Sequence, residues 1–85
     1  MIDSTSEPTL NRLRHVVAEL LPSAGELDCD ADLFLEGLDS IALMQLIILL
    51  EKEFAIRLTA DDLDRANFAT LRDLEKLVVR KQVEG

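Results

Sequence analysis

Gly37-Leu38-Asp39-Ser40 runs straight into Ile41-Ala42-Leu43-Met44-Gln45-Leu46-Ile47-Ile48-Leu49-Leu50, and the reading of this junction decides the fold. An acidic residue and a serine just ahead of an almost wholly apolar run mark a helix start, with Asp39 or Ser40 as the cap. The pattern predicts a helix over residues 40–54. The first N–H groups of a helix have no intrahelical partners, and with the helix dipole they favour an anion such as a phosphodiester. Ser40 therefore stands where a phosphorylated prosthetic group would be well accommodated, and it is the first candidate functional residue.

At about 100° per residue, Leu43, Leu46, Ile47, Leu50 and Phe54 fall on one stripe, as a core-facing helix requires. Ile41, Met44 and Ile48 lie roughly opposite, together with Gln45 and Lys52. One packing surface cannot bury both sets, so the second stripe is expected to be a docking face for partner proteins. Methionine suits a surface that meets several partners. The apolar run is far shorter than the roughly 20 residues that cross a bilayer, so no membrane insertion is expected.

Upstream, Leu10, Leu13, Val16, Val17, Leu20 and Leu21 recur at three- and four-residue spacing until Pro22, which predicts a first helix. Residues 1–7 are polar and expected to fray. Residues 22–38 lack a helical period and carry Glu26, Asp28, Asp30, Asp32 and Glu36, so they read as a long acidic loop. Downstream, Thr59 with Asp62 and Thr70 with Asp73 resemble capping boxes. They predict a short third helix over 60–65 and a fourth over 71–82, the last burying Leu71, Leu74, Leu77 and Val78. Phe54, Ile56 and Leu58 alternate like a strand but have no strand to pair with. The expected fold is all-helical: a four-helix bundle with a short third helix and a long loop between helices one and two.

Eighty-five residues, 48% of them hydrophobic, suffice for one small domain, expected to span 1–85 as a monomer. Seventeen acidic against nine basic residues give a net charge of -8, which repels nucleic acid and anionic membranes and draws in basic protein faces. The single Cys29 forms no internal disulfide and no secretory leader pattern opens the chain, so a cytoplasmic setting is expected.

Small size, acidity, one long loop and an Asp-Ser pair opening the second helix resemble the acyl and peptidyl carrier protein family. The matching residues are Leu33-Phe34, Gly37, Asp39-Ser40-Ile41, Leu46, Leu50, Glu51 and Phe54, within a frame from Leu33 to Val78. The resemblance implies a four-helix bundle whose serine, here Ser40, receives 4'-phosphopantetheine from coenzyme A through a separate phosphopantetheinyl transferase. The thiol of that arm would carry an acyl or aminoacyl group as a thioester, loaded by an activating ligase and delivered to an acceptor transferase or synthase. Partner contacts are expected at Leu38, Asp39, Ile41, Met44, Gln45 and Ile48. Fatty acid synthesis carriers generally place acidic residues where this chain has Ala42 and Gln45, and Lys52 follows Glu51. Phe54-Ala55-Ile56-Arg57-Leu58, Leu63-Asp64-Arg65 and Phe68 look more like stand-alone D-alanyl and other aminoacyl carriers, which points to an amino acid cargo.

Other readings of the same residues are weaker. Asp28, Asp30, Asp32, Glu36 and Asp39 stand at EF-hand positions 1, 3, 5, 9 and 12. However, Leu33 takes the position that needs glycine and Asp39 is shorter than the usual glutamate, so no metal site is expected. One histidine and one cysteine offer no nucleophile with a base: His15 falls on the first helix, and the acidic surroundings of Cys29 disfavour a nucleophilic thiolate, so no enzyme is expected. Asp61, Asp62 and Asp64 read as a solvated face at the start of the third helix. A helical adaptor without a prosthetic group would use the stripe around Ile48 and not need Ser40.

Overall fold

Leu13, Val16 and Val17 recur at helical spacing because one face of their helix is buried, and Leu21, just past the end of that helix, joins them in the core. The computed structural model describes residues 6–84. Three α-helices form the frame: α1 (Ser6–Leu20), α2 (Ser40–Phe54) and α3 (Leu71–Glu84). Between them lie three single 3₁₀ turns, at Pro22–Gly25, Ala60–Asp62 and Arg65–Phe68. No strand is present among the described residues. The helix α1 begins at Ser6, inside the stretch expected to fray; residues 1–5 lie outside the described residues.

The core is built where the three helices meet. The helix α1 packs on both α2 and α3, and α2 touches α3 over a smaller area. Leu46, Leu50 and Phe54 of α2 and Leu71, Leu74, Leu77 and Val78 of α3 close the interior, with Phe68 beside them. Each fully buried leucine contributes about 1.5–3 kcal/mol of transfer free energy.

Two expectations need correction. The third helix is not formed: two separate 3₁₀ turns stand in its place, so the bundle has three α-helices rather than four. The Thr59 cap is real, since its N–H and its hydroxyl both donate to Asp62 Oδ2, at 2.9 and 3.0 Å. One turn later, however, Asp64 accepts the Ala66 N–H at 3.1 Å and Asn67 Nδ2 donates to the Asp62 carbonyl at 2.9 Å. These side chains take over backbone groups that a continuing helix would have used. Leu63, the one large apolar residue in 60–65, is 47% exposed, so no buried stripe rewards continuation.

The stretch between α1 and α2 is likewise not one continuous loop. It contains the Pro22–Gly25 turn and is tied to the start of α3: the Leu33 N–H donates to the Ala69 carbonyl at 2.7 Å and the Arg72 N–H to the Cys29 carbonyl at 3.1 Å. Arg72 Nε also reaches Asp30 Oδ1 at 2.7 Å, which lowers the Asp30 pKa. Leu33 is fully buried and anchors the stretch from within. Gly37 then redirects the chain into α2 with φ 123°, a conformation that L side chains rarely adopt. A Cβ there would lie 3.3 Å from Leu21 Cδ1, so the close approach of Leu21, just past α1, also favours glycine.

Candidate functional site

Asp39 has extended backbone, φ -99° and ψ -177°, and its Oδ1 accepts the Ala42 N–H at 2.8 Å. Asp39 is therefore the cap of α2, and Ser40 is its first helical residue. This division of labour matters, because a serine that capped the helix would have its oxygen engaged. Among the described residues no hydrogen bond engages the Ser40 hydroxyl, which is exposed. The Leu43 N–H is held by the Asp39 carbonyl at 2.8 Å, while the Ser40 and Ile41 N–H groups have no bond among the described residues.

Ser40 borders a small depression of about 250 Å³ lined by Phe34, Leu38, Asp39, Leu43 and Arg65. Three separate segments thus converge on the serine: the turn before α2, α2 itself and the Arg65–Phe68 turn. The Arg65 guanidinium lies 3.8 Å from the centroid of the Phe34 ring, a cation–π stack that holds the cation at the rim. A larger cavity of about 700 Å³, lined by Glu51, Phe54, Arg57 and Lys81, sits at the far end of α2 and has no part in the chemistry of Ser40.

The outer stripe of α2 is on the surface as its spacing predicts. Ile41 is 70%, Met44 66% and Ile48 62% exposed, with Gln45 exposed among them. Gln45 and Ile48 also border an apolar shallow of about 360 Å³ shared with Glu19, Leu20 and Leu49. Leu38 is the exception and is corrected here: at 3% exposure it belongs to the core and drops out of the docking set. It directly precedes the cap, and Leu43 is the fourth helical residue, the spacing of a hydrophobic staple. That pattern was the sequence signal for its burial. Phe34 and Arg65 entered the sequence reading only through the resemblance and were not placed beside Ser40, for which a lone cation in the acidic run 61–65 was the available clue.

Three of the acidic positions that mimic a calcium loop, Asp30, Asp32 and Asp39, are spent on the chain itself. Asp32 Oδ1 accepts the Phe34 N–H at 2.9 Å, Asp30 pairs with Arg72, and Asp39 caps α2. Among the described residues no group of three or more His, Cys, Asp or Glu side chains is arranged to hold a metal. His15 is exposed on α1, and Cys29 Sγ faces Arg14 at 3.4 Å. No described helix is long and apolar enough to cross a membrane.

A family model described as the phosphopantetheine attachment site matches residues 11–78, which include all of α2 and the depression beside Ser40. The chain belongs to this family. None of the curated proteins compared matches it. Phosphopantetheine attachment domains are the acyl and peptidyl carriers; they bear 4'-phosphopantetheine and are carriers rather than catalysts. The local structure of this attachment domain fits such a group: an exposed hydroxyl with no competing bond, two free N–H groups of a helix start, and a cation on the same depression.

Proposed function

We propose that Ser40 is the residue that bears 4'-phosphopantetheine, and that the domain shuttles a thioester-bound acyl group, here an aminoacyl group, between an activating ligase and an acceptor transferase or synthase. The observation that carries this reading is the pairing at the head of α2: Asp39 does the capping, and the exposed Ser40 hydroxyl is left over. Ser40 Oγ supplies the nucleophile when a phosphopantetheinyl transferase presents coenzyme A. Its proton passes to a base on the transferase, and the phosphodiester forms as 3',5'-ADP departs. Once attached, the arm supplies a terminal thiol that holds the cargo as a thioester.

The chain's own contribution is tether and address. A fixed attachment point converts cargo delivery into an effectively intramolecular encounter, so weak docking suffices. Asp39, Ile41, Met44, Gln45 and Ile48 form the docking face in this reading, three of them large apolar residues more than half exposed. The neutral Ala42 and Gln45 beside them argue against a fatty acid synthesis partner and favour an amino acid ligase, with the cytoplasm as the setting.

Intact mass before and after incubation with coenzyme A and a broad-specificity phosphopantetheinyl transferase tests the attachment. A single phosphopantetheine adduct is expected on the wild type and none on Ser40→Ala. An adduct that persists in the variant would move the site elsewhere. No adduct on the folded wild type would favour a helical adaptor working through Ile48. Ligase assays on the loaded protein then decide the cargo: acceptance of fatty acyl groups with refusal of every amino acid would overturn the aminoacyl reading.

A further inference from the structure

Arg65 is the cation on the depression beside Ser40, and, like Lys52, Arg57 and Lys76, it has no ion pair among the described residues. Arg12 pairs with Glu53, Arg72 with Asp30, and Arg80 and Lys81 with Asp62, while Arg14 donates to the carbonyls of Ala24 and Leu27. Arg65 makes no ion pair and no side-chain hydrogen bond among the described residues, although Asp64 is its neighbour in sequence. Its guanidinium is instead held over the Phe34 ring at 3.8 Å, on the depression that Ser40 borders. Two features fix it there. Asp64 caps the Arg65–Phe68 turn by accepting the Ala66 N–H, and Phe68, buried at 1% exposure, anchors the turn in the core.

We infer that Arg65 is the anion contact for a phosphodiester on Ser40, and that it pins the root of the arm toward the Phe34–Leu43 side of α2. A guanidinium stacked on an aromatic face keeps its N–H donors pointing outward in a planar fork, and that fork matches two oxygens of a phosphate. With the stack already formed, little side-chain freedom remains to be lost on contact. The inference rests on Ser40 being the attachment residue. It adds a direction: from Ser40 the arm departs toward the Arg65–Phe68 turn, leaving the Ile41, Met44 and Ile48 stripe clear for a docked protein.

The test uses protein labelled with ¹⁵N, with the loading state fixed by intact mass. In the wild type, loading is expected to shift the Arg65 Nε–H resonance, and raising the salt concentration is expected to reverse part of that shift. The ³¹P resonance of the loaded protein is expected to differ between wild type and Arg65→Gln, with Arg65→Lys intermediate. Arg65 is exposed, so both variants should fold, and circular dichroism checks this. An adduct that leaves the Arg65 Nε–H unmoved and gives the same ³¹P resonance in wild type and Arg65→Gln overturns the inference while sparing the Ser40 assignment. Failure to form any Ser40 adduct overturns both.

Discussion

Replacing Asp39 by alanine removes the carboxylate that holds the Ala42 N–H and leaves the first turn of α2 short of a partner. The expected cost is about 1 kcal/mol, read as a lower urea midpoint. Ser40→Ala removes a hydroxyl that is bonded to nothing among the described residues, and its effect on the same midpoint should stay within about 0.5 kcal/mol. If Ser40→Ala proved the more costly of the two, the assignment of the cap would be wrong. The start of α2 at Ser40 was legible from sequence because the Gly-x-Asp-Ser junction and the apolar run are local signals. Which of two good capping residues does the capping was not, since it depends on the backbone angles at Asp39, set by the turn that Gly37 makes against Leu21. The place of Arg65 beside Ser40 was not legible for a related reason: its meeting with Phe34 joins positions far apart in the chain, and no periodicity reports such a pair.

At the scale of the element, α2 can be tested by setting its two faces against each other. Leu46 is fully buried, and Leu46→Ala should cost about 2–5 kcal/mol by transfer and cavity terms together. Ile48 is 62% exposed, and Ile48→Ala should cost no more than about 0.5 kcal/mol. Denaturant titration of both variants checks the contrast, and similar losses would mean that the outer stripe is covered. The bounds of α2 and the buried stripe of α3 follow from i, i+3 and i, i+4 spacing, so both could be read from the chain. The 60–65 stretch could not, because a capping box announces where a helix starts and says nothing of how far it runs. Its length was decided by competition from Asp64 and Asn67 and by the lack of anything for Leu63 to bury. Whether the 22–38 stretch is ordered could not be read from the chain because its anchors, Leu33 to Ala69 and Cys29 to Arg72, are long-range.

For the whole molecule, Asp62 is the tie between the Thr59 turn and the C-terminal part of α3. Its side chain is 10% exposed; Lys81 Nζ lies 2.9 Å from Oδ2, and Arg80 lies 3.5 Å from Oδ1. The bond from Lys81, followed by that from the Thr59 N–H, lowers its pKa from 3.8 to about 2. A carboxylate whose folded pKa lies below the unfolded one binds fewer protons when folded, so stability falls with falling pH. The contribution is complete above the unfolded value near 3.8 and disappears as pH passes down through about 2. Asp30, lowered by Arg72, acts with the same sign. Urea midpoints of wild type and Asp62→Asn should therefore differ at pH 5 and converge toward pH 2. A gap that persists at the acid end would assign the effect of the substitution to packing instead.

Net charge and the bare stripe of α2 also act on each other. A body with seventeen carboxylates against nine cations that shows Ile41, Met44 and Ile48 to water repels its own kind while carrying an apolar spot on α2. Two copies approaching spot to spot must climb their mutual repulsion before the spots meet, whereas a surface rimmed by cations is drawn in from a distance. Charge thus works as a coarse filter ahead of shape: it opposes contact between two such stripes, and it ranks callers by sign before any side chain is touched.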